Sequence, residues 1–229
     1  MAIFGLEYLE ENLIINAKDI YYNKDKFDNG DINLCFITGH SGSGKSTMAH
    51  SSESETVEVY ELDDLHTIKD RFTMDNLKEY GDLIYSFFNG SGKRFYVTNQ
   101  ELIDNKVPGS EYEDKMYPEF VHYAMKYANS HKDKKYIIEG IWIFETGETG
   151  KDYFEPSEFD NYAFYIKGTS ALISKYRAAK RDCKDAGDKK EQRKAFRKNF
   201  IKNDLKWIFF NEKQLNKFRR YFRNKMKEE

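Results

Sequence analysis

The stretch Gly39-His40-Ser41-Gly42-Ser43-Gly44-Lys45-Ser46 fills every fixed position of the phosphate-binding pattern G-x-x-x-x-G-K-[ST], and it follows the apolar run Leu34-Cys35-Phe36-Ile37. With glycine at about 7% of residues, the pattern arises by chance in on the order of one chain in a hundred of this length, before a strand is required in front of it. Ser46-Thr47-Met48-Ala49 then reads as the start of a helix. Strand, glycine-rich turn and helix in this order turn successive backbone N–H groups toward a bound anion. In such a loop Lys45 reaches the β- and γ-phosphates, the Ser46 hydroxyl meets Mg²⁺, and Thr47 lies near the α-phosphate. Residues 39–47 are therefore the expected nucleotide-binding segment, with ATP and Mg²⁺ as the expected cofactors.

Outward from this loop, strand and helix signals alternate. Residues 13–22 and 32–38 have strand character, and Asp28-Asn29-Gly30-Asp31 supplies a turn between them, which predicts an N-terminal β-hairpin entering the loop. A strand is expected over 56–62, closing on Asp63-Asp64, then a helix over 73–88 and a further strand over 94–98. Residues 107–113, with Pro108-Gly109, read as a loop before a helix over 118–130 that starts at a proline. The short apolar runs at 136–138 and 162–166 read as buried parallel strands. From Thr169 the chain reads as helix, broken at Asp185-Ala186-Gly187-Asp188, with apolar spacing resuming at Phe196. The alternation predicts an α/β fold, three layers with a mostly parallel sheet. The whole chain, 1–229, is expected as a single domain: hairpin 1–33, core 34–168, helical lid 169–200 and basic C-terminal helix 201–229.

Composition narrows the class. At 229 residues, 39% hydrophobic and 33% charged, the chain is long enough for one sizeable core. No run approaches eighteen apolar residues, and Glu7, Glu10 and Glu11 oppose a signal-peptide layout, so a cytoplasmic protein without membrane contact is expected. Cys35 and Cys183 fit neither a disulfide framework nor a metal knuckle and read as free thiols. The net charge of −2 conceals an asymmetry, because residues 189–229 carry fifteen Lys/Arg against five Asp/Glu. A basic tail on an acidic body suits phosphates or nucleic acid, and its simplest reading beyond Lys213 is a solvated helix face.

In a parallel α/β sheet the ligand lies at the carboxyl ends of the strands, which singles out three places: the loop, Asp63-Asp64 and Glu139. Phosphoryl transfer needs a metal to neutralise phosphate charge and a carboxylate to take the proton of the attacking hydroxyl. Lys45, Asp63 and Arg181 are the expected catalytic residues, Asp63 as base with Asp64 as its alternative. Ser46, Asp63 and Glu139 are the residues expected around Mg²⁺, Glu139 acting through water. Arg177 and Arg181 stand four apart, hence on one helix face, as a phosphate clamp; Lys189, Lys190, Arg193 and Arg197 extend the charge into a lid.

These features together resemble the uridine kinase and phosphoribulokinase group. The resemblance rests on the 39–46 loop, Asp63 after the second strand, Y-I-I-E-G-I-W-I-F over 136–144, and a helix with Arg181-Asp182 followed by Gly187. It covers about 34–209 and implies a nucleotide-kinase-like P-loop domain with Asp63 as base and Arg181 in the lid. Ala186 stands where that group's lid motif carries arginine, with Lys189 and Lys190 near it, and 94–113 lacks the nucleoside-contacting pattern of uridine kinases. The Asp63-Asp64 pair is equally similar to the dipeptide of polynucleotide kinases and toxin-type P-loop kinases. The resemblance implies transfer of the γ-phosphate of ATP to a hydroxyl of a nucleoside, nucleotide or sugar. The alternatives are a nucleic-acid 5′-hydroxyl or nucleotide sugar as acceptor, an ATP-hydrolysing switch or motor subunit, and a non-catalytic nucleotide-binding module.

Overall fold

The computed structural model describes residues 18–65, 81–87, 109–144, 152–169, 171–184, 187–202 and 205–228. Its centre is a five-stranded sheet in the order β1-β5-β2-β4-β3, formed by β1 (Ile20–Tyr22), β2 (Leu34–Thr38), β3 (Val57–Glu61), β4 (Lys135–Glu139) and β5 (Ala163–Ile166). Strands β5, β2, β4 and β3 run parallel, and β1 closes one edge antiparallel to β5. Strands β2 and β5 are buried at every residue, as strands covered on both faces must be, and this is why Leu34-Cys35-Phe36-Ile37 reads as an unbroken apolar run. Edge strand β3 is only half covered and admits Glu58 and Glu61.

Helices cover both faces. On one face Cys35, Ile37, Ile137, Ala163 and Tyr165 meet Phe27 of α1 (Lys24–Asp28) and Ala49 of α2 (Lys45–His50). On the other, Leu34, Phe36, Ile138 and Phe164 pack against α3 (Gly109–Ser130), the helical stretch 82–87 and α6 (Leu205–Glu228). Helix α3 delivers Met116, Tyr117, Phe120, Val121, Ala124 and Ala128 at three- and four-residue spacing, all essentially inaccessible. The chain ends in α4 (Ala171–Asp182), α5 (Lys189–Lys202) and α6, with α4 and α5 joined through Tyr176 against Phe196 and Phe200. The result is an α/β fold with a mostly parallel sheet, compatible with three α/β/α layers.

Three expectations need correction. The hairpin does not form: β2 is bonded on its two edges to β4 and β5, and β1 pairs with β5 at Ile20↔Ile166. The chain turns away after β1 because Asn23 adopts a left-handed backbone (φ 53) and its side-chain amide donates to Asp160 O and Tyr162 O. Residues 109–113 are helical rather than loop, and α3 starts well before Pro118, because the apolar stripe already begins at Met116 and Tyr117. The segment beyond Lys213 is not simply a solvated face: Leu215, Phe218, Arg219 and Phe222 are buried, with Phe222 stacked on Phe164 at 4.5 Å and only the other faces carrying exposed Arg220, Arg223 and Lys227. Of the expected helix over 73–88, residues 82–87 are helical and Gly81 is not; 73–80 and 88 lie outside the described residues, as do the strand over 94–98 and 13–17 of the first expected strand.

Cys35 and Cys183 are buried and form no disulfide, and burial pushes the Cys35 thiol up to about 12 against a contact from Tyr21. Among the described residues no helix is long and apolar enough to cross a membrane.

Candidate functional site

The carboxyl end of β2 lies where crossovers leave in opposite directions: the chain passes from β2 toward β3 on one side, and β5 lies on the other. Side chains and turns at the ends of β2, β3, β4 and β5 converge on that crevice, where open α/β sheets take ligands. The 39–46 loop leaves β2 there. Gly42 and Gly44 adopt left-handed backbones, φ 81 and φ 90, so the chain doubles inward before α2 begins at Lys45. Ser43 N–H donates to His40 O and Met48 N–H to Gly44 O, while no backbone acceptor among the described residues takes the N–H groups of Gly42, Gly44, Lys45, Ser46 or Thr47. These donors at one turn form a concave array suited to an anion.

Its walls are close. A Cβ at Gly42 would stand 2.5 Å from Ser174 O and 3.0 Å from Ala178 N, so α4 rests against the loop backbone. Thr169 Oγ1 donates to Ser43 O at 3.5 Å, and the Ser43 hydroxyl is buried without a partner. Arg177 is half-buried and Arg181 exposed one turn further along α4, and both have electrostatic or hydrogen-bonding neighbours. Asp188 caps α5, accepting from Lys190 N–H and Glu191 N–H at 2.8 and 2.9 Å, which accounts for the helix break read in the sequence.

Glu139 is the hub. It is the last residue of β4, beside β2, and is 2% exposed. The Ser46 hydroxyl donates to its Oε2 at 2.9 Å, and Lys45 Nζ lies 2.9 Å from Oε1 in an ion pair. Burial raises the Glu139 pKa above the ordinary carboxylate value, opposed by Lys45 and Ser46 and reinforced by Glu61. Lys45, Ser46 and Glu139 therefore form one contact set, Lys45 and Glu139 buried and Ser46 half-buried, with Ser46 and Glu139 ninety-three residues apart in the chain.

Asp63 lies in a helical turn, 62–65, directly after β3; it is exposed and accepts from Trp142 Nε1 at 2.9 Å. Trp142 stacks on Tyr117 with ring centroids 4.6 Å apart. Asp64 is half-buried, and its carboxyl is raised by burial and by neighbouring Glu61 and Asp63 against the pull of His50. Exposure and an indole donor make Asp63 the accessible carboxylate of the pair. Gly39, His40 and Ser43 are buried at the root of the loop, Ser41 and Gly42 half-buried, Gly44 and Thr47 exposed.

Sequence reasoning missed four participants. Glu61 ends β3 opposite Glu139 in register and accepts from His50 Nε2 at 2.7 Å. The V-E-V-Y-E alternation of β3 carried that signal, since Val57, Val59 and Glu61 share a face. Trp142 carried none beyond its place after Glu139-Gly140. Glu212 of α6 reaches His40, Arg219 of the same helix reaches Glu212, and nothing local in the sequence marks either.

Among the described residues no group of three or more His, Cys, Asp or Glu is placed to hold a metal by protein ligands alone. Mg²⁺ held mainly by phosphate oxygens and water needs no such group, and the Ser46 hydroxyl and Glu139 carboxylate are oxygen donors of the kind it takes. No protein-family model matches the chain, and no curated protein or solved structure matches it.

Proposed function

We propose that the chain is an ATP- and Mg²⁺-dependent phosphotransferase that moves the γ-phosphate to a hydroxyl of a small molecule, a nucleoside, nucleotide or sugar. The observation that carries this reading is the Lys45–Glu139–Ser46 contact set beneath a loop of open N–H donors at the carboxyl end of the central strand. A lysine paired to a buried carboxylate and poised under an anion cradle exchanges one negative partner for another when phosphate enters. The Ser46 hydroxyl and, through water, Glu139 would hold Mg²⁺, which neutralises charge on the transferred phosphoryl group.

In this reading the loop N–H groups and Lys45 bind the phosphates and fix the terminal phosphorus in line with the acceptor. Asp63, exposed and oriented by Trp142, accepts the proton of the attacking hydroxyl as the new P–O bond forms and the bond to the β,γ-bridging oxygen breaks. Arg177 and Arg181 rise from α4, which lies against Gly42, and supply cations to the phosphates as the α4–α5 pair closes over them.

The test is nucleotide-dependent stabilisation. ATP with Mg²⁺ at a hundredfold excess over Kd raises stability by about 2.7 kcal/mol, and Lys45→Ala removes most of that shift in melting temperature. An ATP-induced shift that is the same in Lys45→Ala and in the wild type refutes the reading.

A further inference from the structure

The 39–46 loop is gripped from a direction its own sequence does not announce. His40, 5% exposed, places Nε2 2.6 Å from Glu212 Oε2, across 172 residues of chain. Phe144 meets the His40 ring edge-on at 5.9 Å, so the imidazole is fixed by an apolar wall on one side and a carboxylate on the other. The His40 carbonyl in turn accepts from Ser43 N–H, which makes the first turn of the loop. Glu212 is itself held: Arg219 Nη1 donates to its Oε1 at 2.7 Å and Asn216 Nδ2 donates to the same oxygen at 3.3 Å.

Arg219 is 5% exposed, and its Nε and Nη2 are buried without hydrogen-bond partners. A guanidinium left half-satisfied in the interior is a net cost to stability, and an apolar side chain would fill the same place on α6 more cheaply. What Arg219 does provide is a fixed Glu212.

We infer that Glu212, held by Arg219, is a positioning residue for the 39–46 loop: helix α6 preorganises the phosphate cradle through the His40 ring without touching the phosphates. The inference rests on the nucleotide-binding reading above. Its physical basis is that a loop already ordered in the free protein does not spend binding energy on being ordered. Fixing a backbone residue that was free carries an entropic cost, which the bound state must meet if the free protein has not. Releasing His40 therefore weakens ATP binding by about tenfold, the equivalent of about 1.4 kcal/mol.

The experiment is calorimetric titration of ATP with Mg²⁺ into the full chain, at a temperature where circular dichroism shows each variant folded. Glu212→Ala and His40→Ala should each weaken ATP binding by about tenfold. The double variant should be no weaker than either single one, because Glu212 acts only through His40. Arg223→Ala, an exposed change on the same helix, should leave the affinity as it was. Should Glu212→Ala fail to fold, Glu212→Gln, which keeps the volume and one acceptor oxygen, is titrated instead and should weaken binding by about threefold. Unchanged affinity in the Glu212 variant, or losses that add in the double variant, overturns the inference while the wild type still binds ATP. A wild-type chain that takes no ATP overturns the nucleotide-binding reading, and this inference with it.

Discussion

Gly42→Ala separates two causes of loop geometry that the structure superimposes. The left-handed backbone at Gly42 (φ 81) costs an alanine about 1–2 kcal/mol. The new methyl would also lie 2.5 Å from the Ser174 carbonyl oxygen, about an ångström inside ordinary contact, and that oxygen belongs to the backbone of α4 rather than to a side chain able to rotate away. Forcing such a contact costs about 1–3 kcal/mol, so the total is about 2–5 kcal/mol. For a chain of this size each kcal/mol lowers Tm by about 2–4 °C, which puts the fall at about 4–20 °C. Gly44→Ala is the internal reference: its φ of 90 carries the same backbone cost, but no atom lies within 4 Å of the added methyl. Urea denaturation of both variants without nucleotide, with m-values compared to confirm a common unfolded state, reads the difference. Equal destabilisation by Gly42→Ala and Gly44→Ala would refute the claim that α4 seats on the loop.

Asp63→Asn keeps shape but removes the proton acceptor, so transfer should slow by on the order of 10²-fold with ATP affinity little changed; Asp64→Asn should do less, and steady-state kinetics with both variants distinguishes them. Arg181→Ala, at an exposed position, should shift stability without nucleotide by no more than about 0.5 kcal/mol yet lower turnover by on the order of 10²-fold; normal turnover removes Arg181 from the lid. Burial alone would raise the carboxyl of Asp19, but Tyr165 O–H, Lys167 and Gly168 N–H hold it below its ordinary value of 3.8. The stability it contributes is present above pH 3.8 and is lost as pH falls through the lowered folded value. The stability gap between wild type and Asp19→Asn, measured by urea denaturation across pH, should therefore close in acid and stay open near neutrality.

The parts of this architecture that were legible in the sequence are those whose cause is local. Four consecutive apolar residues before Gly39 mark a strand covered on both faces, and the glycines at 42 and 44 mark the turn that follows. Glu139 could be placed at a strand end because Tyr136-Ile137-Ile138 points to it. What was not legible depends on partners remote in sequence. The turn residues 28–31 suggested a hairpin, but whether β1 pairs with β2 is decided by the competing edges of β4 and β5, more than a hundred residues away. The stripe Leu215, Phe218, Phe222 was obscured by the lysines and arginines around it, although its three- and four-residue spacing was present. His40 was recognised as a loop position, yet its ring is held by Glu212, and no rule of spacing connects residues 172 apart.

The most direct measurement follows the γ-phosphate. Wild-type chain is incubated with γ-labelled ATP and Mg²⁺ and, separately, nucleosides, nucleotides, sugars and 5′-hydroxyl oligonucleotides, and label on each acceptor is quantified against label released as inorganic phosphate. One small-molecule hydroxyl class should become labelled and accelerate ATP consumption. Label found only as inorganic phosphate, at a rate no acceptor changes, or found on the oligonucleotide alone, would contradict phosphoryl transfer to a small molecule.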